Sequence, residues 1–312
     1  MAVNTAPTSS KRDKSEAQWR DNLRRFFRNP TGIVGLAVIG FFVFMSVSAP
    51  LLNPYDASRD RNLRARLAPP SWTMSAQELE RRDLSTWSLP FGADELGRNL
   101  AVRVWHGGRI SLSVGLRAVA IAATVGILLG LLAGYVGGWT DTGVVWLVDI
   151  LLAFPGILLA IAIVATLGPS LTNALIAISI TQVPIYTRIT RSVVLSVRES
   201  EYVQAARALG SNPFRIVFGH ILPNSLSPLI VQASLSIGVA ILDVAALGFL
   251  GLGAQPPDPE WGLMIRDGFS QFLRAPWMSI FPGIAIFFSV VGFNLLGDAI
   301  RDVLDPRLKN IS

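Results

Sequence analysis

Six long apolar runs constrain this chain more than any other feature of its sequence. They lie near 32–52, 111–136, 143–168, 171–191, 225–250 and 278–300. Each is close to the ~20 residues that an α-helix needs to cross ~30 Å of hydrocarbon. Hydrophobic residues make up 51% of the 312 residues and charged residues only 15%, which is too apolar for a soluble protein of this length. The sequence therefore predicts an all-α membrane protein with six transmembrane helices.

The first apolar run is predicted to be a retained transmembrane helix and not a signal peptide. It follows about 30 polar residues, has full transmembrane length and lacks a small-residue cleavage site. The predicted order is a cytoplasmic N-terminal segment at 1–31, the first helix at 32–52, an extracytoplasmic segment at 53–110, a five-helix core at 111–300 and a cytoplasmic tail at 301–312.

Basic residues near the ends of the runs predict the orientation, because Lys and Arg concentrate on the cytoplasmic side. They cluster before the first run, around the segment 188–215 and at the C-terminus: Lys11, Arg12, Lys14, Arg20, Arg24, Arg25, Arg28, Arg188, Arg191, Arg198, Arg207, Arg215, Arg301, Arg307 and Lys309. Both termini are therefore expected in the cytoplasm. The segment 53–109 disagrees, with nine arginines against seven acidic residues, but long loops follow the rule weakly. Topology explains most of the net charge of +6 without a nucleic-acid partner.

Several classes of site are excluded or disfavoured by the residues that the chain has. It has no cysteine, so disulfides, thiolate zinc sites and cysteine nucleophiles are excluded. Its only lysines lie near the two ends, and none belongs to a Gly-rich phosphate loop. His106 and His220 are far apart and make a poor metal pair. We expect no catalytic residue, cofactor or metal in this chain, so if ATP drives the protein, another chain binds it.

Glycine and proline positions predict how some of the helices pack and bend. Gly126, Gly130 and Gly134 recur every four residues on one helix face, a pattern typical of close helix packing. Three prolines interrupt apolar runs and predict bends there: Pro155, Pro184 and Pro282. Whether these bends move or are static stays open at this point.

Two aspartates lie inside the apolar runs, where ionisable residues are costly and mark functional sites. Asp149 lies near the start of the third run, and Asp243 lies about 18 residues into the fifth, or roughly 27 Å along a helix. We hypothesise that Asp243 lines the outer end of a translocation path or its gate. A hydrogen bond to a neighbouring helix is the equal alternative. Arg188 and Arg191 are predicted to be anchors whose side chains reach the membrane surface.

The segment 201–223, EYVQAARALGSNPFRIVFGHILP, is polar and Ala-rich and lies between two apolar runs. Strong helix formers precede Gly210, which is typical of a helix end. Ser211 or Asn212 can cap a second helix with Pro213 in its first turn, and Pro223 is expected to stop that helix. The pattern predicts two short helices with a tight bend, a form suited to docking another protein.

This segment resembles the EAA loop of ABC importer permeases, a cytoplasmic coupling helix that sits in a groove of the ATPase subunit. The matching residues are Glu201, Ala205, Ala206, Gly210, Ile221, Leu222 and Pro223. The motifs FGADELGRNL, GYVGGWTD, DILLAFP, GFLGLGAQPPDPEWG and FNLLGDAIRDVLDPRL occur in order around it. Together they resemble the C-type permease subunit of dipeptide, oligopeptide and nickel importers. Asp243 stands where that pattern has Glu, and Gly248 where it has Ser.

The resemblance implies a type I ABC importer permease fold with its coupling loop at 199–223, in a bacterial or archaeal inner membrane. It implies a second homologous permease that completes the path, two ATPase subunits that hold ATP and magnesium, and an extracytoplasmic substrate-binding protein. Peptides are the first expected cargo, and nickel or another small solute is the runner-up. An ion-coupled secondary transporter and a non-transporting membrane scaffold remain as less favoured classes.

Overall fold

A computed structural model of the chain describes residues 23–56 and 60–304, which fold into helices joined by loops. The predicted segments 1–31 and 301–312 therefore lie largely outside the described residues. The α-helices are α1 Pro30–Leu52, α2 Ala76–Arg82, α3 Leu100–Val136, α4 Gly138–Leu152, α5 Gly156–Leu167, α6 Leu171–Arg198, α7 Glu201–Ala208, α8 Pro213–Ile216, α9 Leu222–Phe249, α10 Trp261–Phe269 and α11 Trp277–Leu304. A π-helical turn, Val217–Ile221, joins α8 to α9. The prediction of an all-α fold is confirmed.

Fewer helices than predicted qualify as membrane spans by length and composition. Among the described residues, four do so: α1, α3, α11 and the continuous stretch Pro213–Phe249. The pair α4 and α5 makes a fifth if it is one span, although the two helices meet at 90°. The remaining predicted span, the run 171–191, corresponds to α6, which is long enough but carries many polar residues. Because α6 is packed by other helices along much of its length, its surface does not have to be uniformly apolar.

The helices α3 and α6 pack along the predicted glycine stripe. A Cβ added at Gly126 would lie 2.5 Å from the Cβ of Tyr186, and one added at Gly130 would lie 2.6 Å from the Cβ of Thr190. At Gly134 the same addition would come within 2.7 Å of the Cβ of Val194. Side chains at these three positions would separate the helices, so the predicted packing role of the stripe is confirmed.

Helix α3 begins at Leu100, inside the segment that the sequence assigns outside the membrane, and continues without a break to Val136. Its first turns are buried together with Trp261 of α10, whose indole N–H donates to the carbonyl of Val104 at 2.8 Å. At ~1.5 Å per residue the helix is about 55 Å long, well over the ~30 Å of hydrocarbon. The helix is therefore longer than the hydrocarbon layer is thick. Its first residues, from Leu100, belong to the segment 53–110.

A buried carboxylate organises the chain just before α3. Asp94 accepts hydrogen bonds from the backbone N–H of Arg98 at 3.0 Å and from its Nε at 2.6 Å, and it is also paired with Arg103. All three side chains are buried. Two of the nine arginines in this segment are thus used in the fold, since a buried carboxylate needs charged partners. This accounts for part of its disagreement with the positive-inside rule.

Ion pairs join α4 to α6 beside the bend at Pro155. Arg188 donates to Asp149 at 2.7 Å, and Arg191 makes a two-pronged contact with Asp141 at 2.5 and 2.7 Å. The predicted role of these two arginines as anchors at the membrane surface stays a prediction, and their ion pairs give them a structural role as well. They connect the bent helix pair to the buried helix α6.

Gly130→Ala tests the close contact between α3 and α6. We expect the added methyl group to destabilise the protein by about 1–3 kcal/mol, because overpacking forces the helices apart. Gly143→Ala on α4 is the matched control, since an added Cβ there meets nothing within 4 Å. Thermal unfolding of both variants in detergent measures the difference, and equal midpoints would contradict the packing argument.

Candidate functional site

The segment 201–223 forms a helical hairpin that begins with α7. Glu201 is the first residue of α7, where its negative charge is favourable at a helix N-terminus. The helix ends at Gly210, whose φ of +75° is left-handed and suits glycine. The N–H of Ser211 donates to the carbonyl of Ala206 at 3.0 Å and closes the turn. Asn212 then caps α8, its side chain accepting from the N–H of Phe214 at 2.9 Å. The predicted pair of short helices is present.

The predicted stop at Pro223 is wrong. Pro223 lies in the first turn of α9, and the chain passes from α8 through the π turn Val217–Ile221 into α9 without a loop. A π turn shifts the hydrogen-bond pattern by one residue and so accommodates a local irregularity in a continuous helix. The hairpin is therefore joined directly to a membrane-spanning helix.

One side of the hairpin is anchored in a small core that we call the anchor cluster. Val203, Ile216 and Ile221 are fully buried there against Leu131 of α3 and Val194 of α6. Two polar contacts reinforce it. The guanidinium of Arg207 lies 5.4 Å from the ring centre of Tyr135, and Arg198 donates to the carbonyl of Gly134 at 3.0 Å. The hairpin is thus fixed to the C-terminal ends of α3 and α6, the two helices that pack along the glycine stripe.

The seven residues of the predicted coupling motif do not share one surface. Glu201, Ala205, Gly210 and Pro223 are exposed, Ala206 and Leu222 are half-buried, and Ile221 is buried in the anchor cluster. The motif therefore combines a surface with its internal support. Only its exposed members are available to touch another protein.

Apolar side chains at the tip of the hairpin were missed by the sequence reasoning. Leu209 is 87% exposed, Phe214 is 73% exposed and Phe218 is 55% exposed. The rings of Phe214 and Phe218 lie parallel with their centres 6.5 Å apart. They are large apolar residues in a segment rich in polar ones, and this is the signal that could have indicated them. Exposed apolar patches are typical of protein- or membrane-interaction sites.

Asp243 lies on a different surface, 21 residues beyond the start of α9 and so about 31 Å along it. It is half-buried on a helix face that also carries the exposed apolar residues Val239, Leu242 and Leu250. No hydrogen bond or ion pair joins its carboxylate to any residue that the structure describes. The alternative of a bond to a neighbouring helix is therefore not found in the described part of the chain.

Gly248, the second departure from the family pattern, has a local structural reason. The buried Glu260 caps α10 by accepting from the N–H groups of Gly262 and Leu263, both at 2.9 Å, and from the hydroxyl of Ser111 at 3.0 Å. Burial raises the pKa of Glu260, while these hydrogen bonds lower it. A side chain at Gly248 would overlap the Glu260 carboxylate. This departure therefore has a packing reason.

Comparison with known proteins identifies the family. Residues 126–310 match the family described as "Binding-protein-dependent transport system inner membrane component", and residues 17–70 match the "N-terminal TM domain of oligopeptide transport permease C". The chain belongs to this family of inner-membrane permeases. The prediction of a C-type peptide permease is confirmed by the order of the two matches and by the relatives that follow.

The permease is similar to curated peptide permeases over nearly its full length. It is 49% identical over 292 residues to the dipeptide transport system permease protein DppC of Alkalihalophilus pseudofirmus, covering 94% of this chain and 91% of the relative. It is 44% identical to the di/tripeptide transport system permease protein DppC of Pseudomonas aeruginosa, covering 99% of each. The glutathione transport system permease protein GsiD of Pectobacterium atrosepticum is 41% identical, with 96% and 95% covered.

A solved structure of the MetNI methionine ABC transporter, in an inward-facing conformation, shares the fold. The TM-score is 0.52 at 19% identity, and the match covers 66% of the permease and 96% of that chain. At this identity the likeness shows the fold alone. It agrees with the predicted importer permease fold.

Ile221→Ala and Leu209→Ala separate the anchored side of the hairpin from its exposed tip. We expect Ile221→Ala to lower the free energy of unfolding by about 2–5 kcal/mol, because it opens a cavity in the anchor cluster. Leu209→Ala removes an exposed side chain and should change stability by less than about 0.5 kcal/mol. Thermal unfolding in detergent tests both. Equal destabilisation by the two variants would show that the hairpin is not anchored as described.

Proposed function

We propose that the permease forms half of the translocation path of an ATP-driven, binding-protein-dependent importer of di- or oligopeptides. The observation that carries this proposal is its similarity, over almost the whole chain, to relatives named as dipeptide, di/tripeptide and glutathione transport permeases. The exposed hairpin adds support, because a permease without a nucleotide site needs a surface that engages an energy-supplying partner.

The proposed topology has six spans, with both termini in the cytoplasm. It counts α4 and α5 as one broken span and α6 as a span enclosed by protein. Irregular backbone inside a membrane is tolerated where other helices cover it or where it lines a cavity, which suits the bend at Pro155. Arg24, Arg25 and Arg28, just before α1, support the cytoplasmic N-terminus. The hairpin then also faces the cytoplasm.

In the proposed mechanism, two ATPase subunits bind ATP and magnesium, and one of them receives the tip of the hairpin. Leu209 and Phe214 fill an apolar groove, and Glu201 contributes charge at its edge. When the ATPases close, the anchor cluster transfers the movement to α3 and α6, and the π turn transfers it to α9. This chain supplies no catalytic residue. A second permease completes the path, and an extracytoplasmic binding protein delivers the peptide.

Asp243 is proposed to face that path. A carboxylate on an apolar helix face is costly against lipid and becomes tolerable where water or a second permease covers it. With no partner among the described residues, its charge is available to a cationic group that passes, such as the amino terminus of a peptide. In this proposal, energy input and cargo contact lie at opposite ends of α9, because Asp243 is about 31 Å along the helix from its start.

Variants of the hairpin tip test the coupling. We expect Glu201→Lys, Gly210→Pro or the pair Leu209→Ala and Phe214→Ala to lower peptide uptake at least tenfold and to abolish stimulation of ATPase activity by the binding protein. Gly210→Pro acts because proline cannot adopt the positive φ of this residue. Gln204→Ala is an exposed control on the same helix. Co-purification and ATPase assays of the reconstituted complex are the measurements, and normal stimulation in all three variants would refute the coupling role.

Asp243→Asn tests the path. We expect the complex to assemble and hydrolyse ATP normally but to take up peptides with a free amino terminus several-fold more slowly. An ordinary charge-assisted contact of ~1.5–3 kcal/mol would be lost. Uptake of N-acetylated peptides supplies the comparison, since it should change little. Full assembly with unchanged uptake of both peptides would remove Asp243 from the path.

A further inference from the structure

We propose that a cavity between α1 and the first half of α3 binds one anionic phospholipid. The cavity has a volume of about 610 Å³ and combines a cationic rim with an apolar interior. Its size lies within the ~300–1,000 Å³ of small-molecule sites. This inference goes beyond peptide transport, and the proposed function would stand if it failed.

The rim of the cavity carries two arginines that have no acidic partner among residues 23–56 and 60–304. Arg109 and Arg117 are exposed and lie eight residues, or about two turns, apart on the same face of α3. None of the residues that line the cavity is acidic. Within the described residues, no carboxylate lies at ion-pair distance from either guanidinium. Their charge is therefore open to an external anion.

The guanidinium of Arg117 is directed toward the N-terminal end of α3, the side on which Arg109 lies. The side chain of Arg117 turns back by one helical turn, donating from Nε to the carbonyl of Ser113 at 3.0 Å and from Nη2 to its hydroxyl at 2.7 Å. This direction brings its charge toward Arg109. It is how an arginine in a spanning helix reaches the headgroup level of the bilayer. Under the proposed topology that level belongs to the outer leaflet.

The interior of the cavity suits a lipid better than a peptide end. It is lined by Val43 and Val47 of α1, Leu116 of α3 and Phe293 of α11. The apolar slot fits an acyl chain, and the two arginines at its rim fit the phosphate of an anionic headgroup. Basic pockets between transmembrane helices recognise anionic headgroups in this way.

Native mass spectrometry of the permease, purified with the proteins that accompany it from its native membrane, tests the proposal. After delipidation the complex is offered dioleoyl phosphatidylglycerol or dioleoyl phosphatidylethanolamine, which share their acyl chains. We expect preferential retention of phosphatidylglycerol. Because a basic residue near the surface contributes ~1 kcal/mol, Arg109→Gln and Arg117→Gln should each weaken retention of phosphatidylglycerol about fivefold, and the double variant about thirtyfold.

Arg81→Gln is the matched control, since Arg81 is exposed on α2 and does not line the cavity. Its retention of phosphatidylglycerol should equal that of the unaltered protein. If the double variant does not assemble, the two single arginine variants supply the test. Equal retention of both lipids, undiminished retention in the arginine variants, or displacement of the lipid by free glycerol phosphate or by a dipeptide would overturn the proposal.

Discussion

The close contact between α3 and α6 is the interaction on which the rest of the structure depends. In hydrocarbon, packing of helices cannot draw on the hydrophobic effect, so surface contact at short range has to stabilise the pair. Glycines at 126, 130 and 134 permit that range. The helix α6 then supports α4 through ion pairs, and the C-terminal ends of the pair carry the anchor cluster beneath the hairpin. A methyl group added to one of these glycines would therefore disturb both the packing of α3 against α6 and the support of the hairpin.

Features governed by local chemistry could be predicted from the sequence. The glycine repeat, the Gly210 turn and the start of α8 each depend on a few neighbouring residues, and the structure has them. The angle at Pro155 and the continuation past Pro223 could not be predicted. A proline removes one hydrogen bond, but the surrounding helices decide how far the chain bends or whether a π turn absorbs the change. The number of spans is also hard to determine from composition, because protein contacts replace lipid around α6.

The position of the candidate site could be predicted from the sequence, but which of its residues are exposed and which are buried could not. A sequence motif places Glu201 and Ile221 in one set, whereas the structure exposes the first and buries the second. What separates them is contact with Leu131 and Val194, which come from other helices. The arginines of the outer segment show the same limit. Arg98 and Arg103 count as surface charge in the sequence, yet Asp94 holds both of them in the interior.

The unbroken length of α3 has a consequence for signal transmission. One end of this helix is embedded with α10 and the Asp94 cluster, and the other meets the hairpin. A rigid rod of about 55 Å that tilts by about 10° around one end displaces its other end by about 10 Å. Small rotations on the hairpin side would thus be geometrically enlarged on the opposite side of the bilayer. Under the proposed coupling, the helix would act as a lever arm whose stiffness sets how much movement the far end receives.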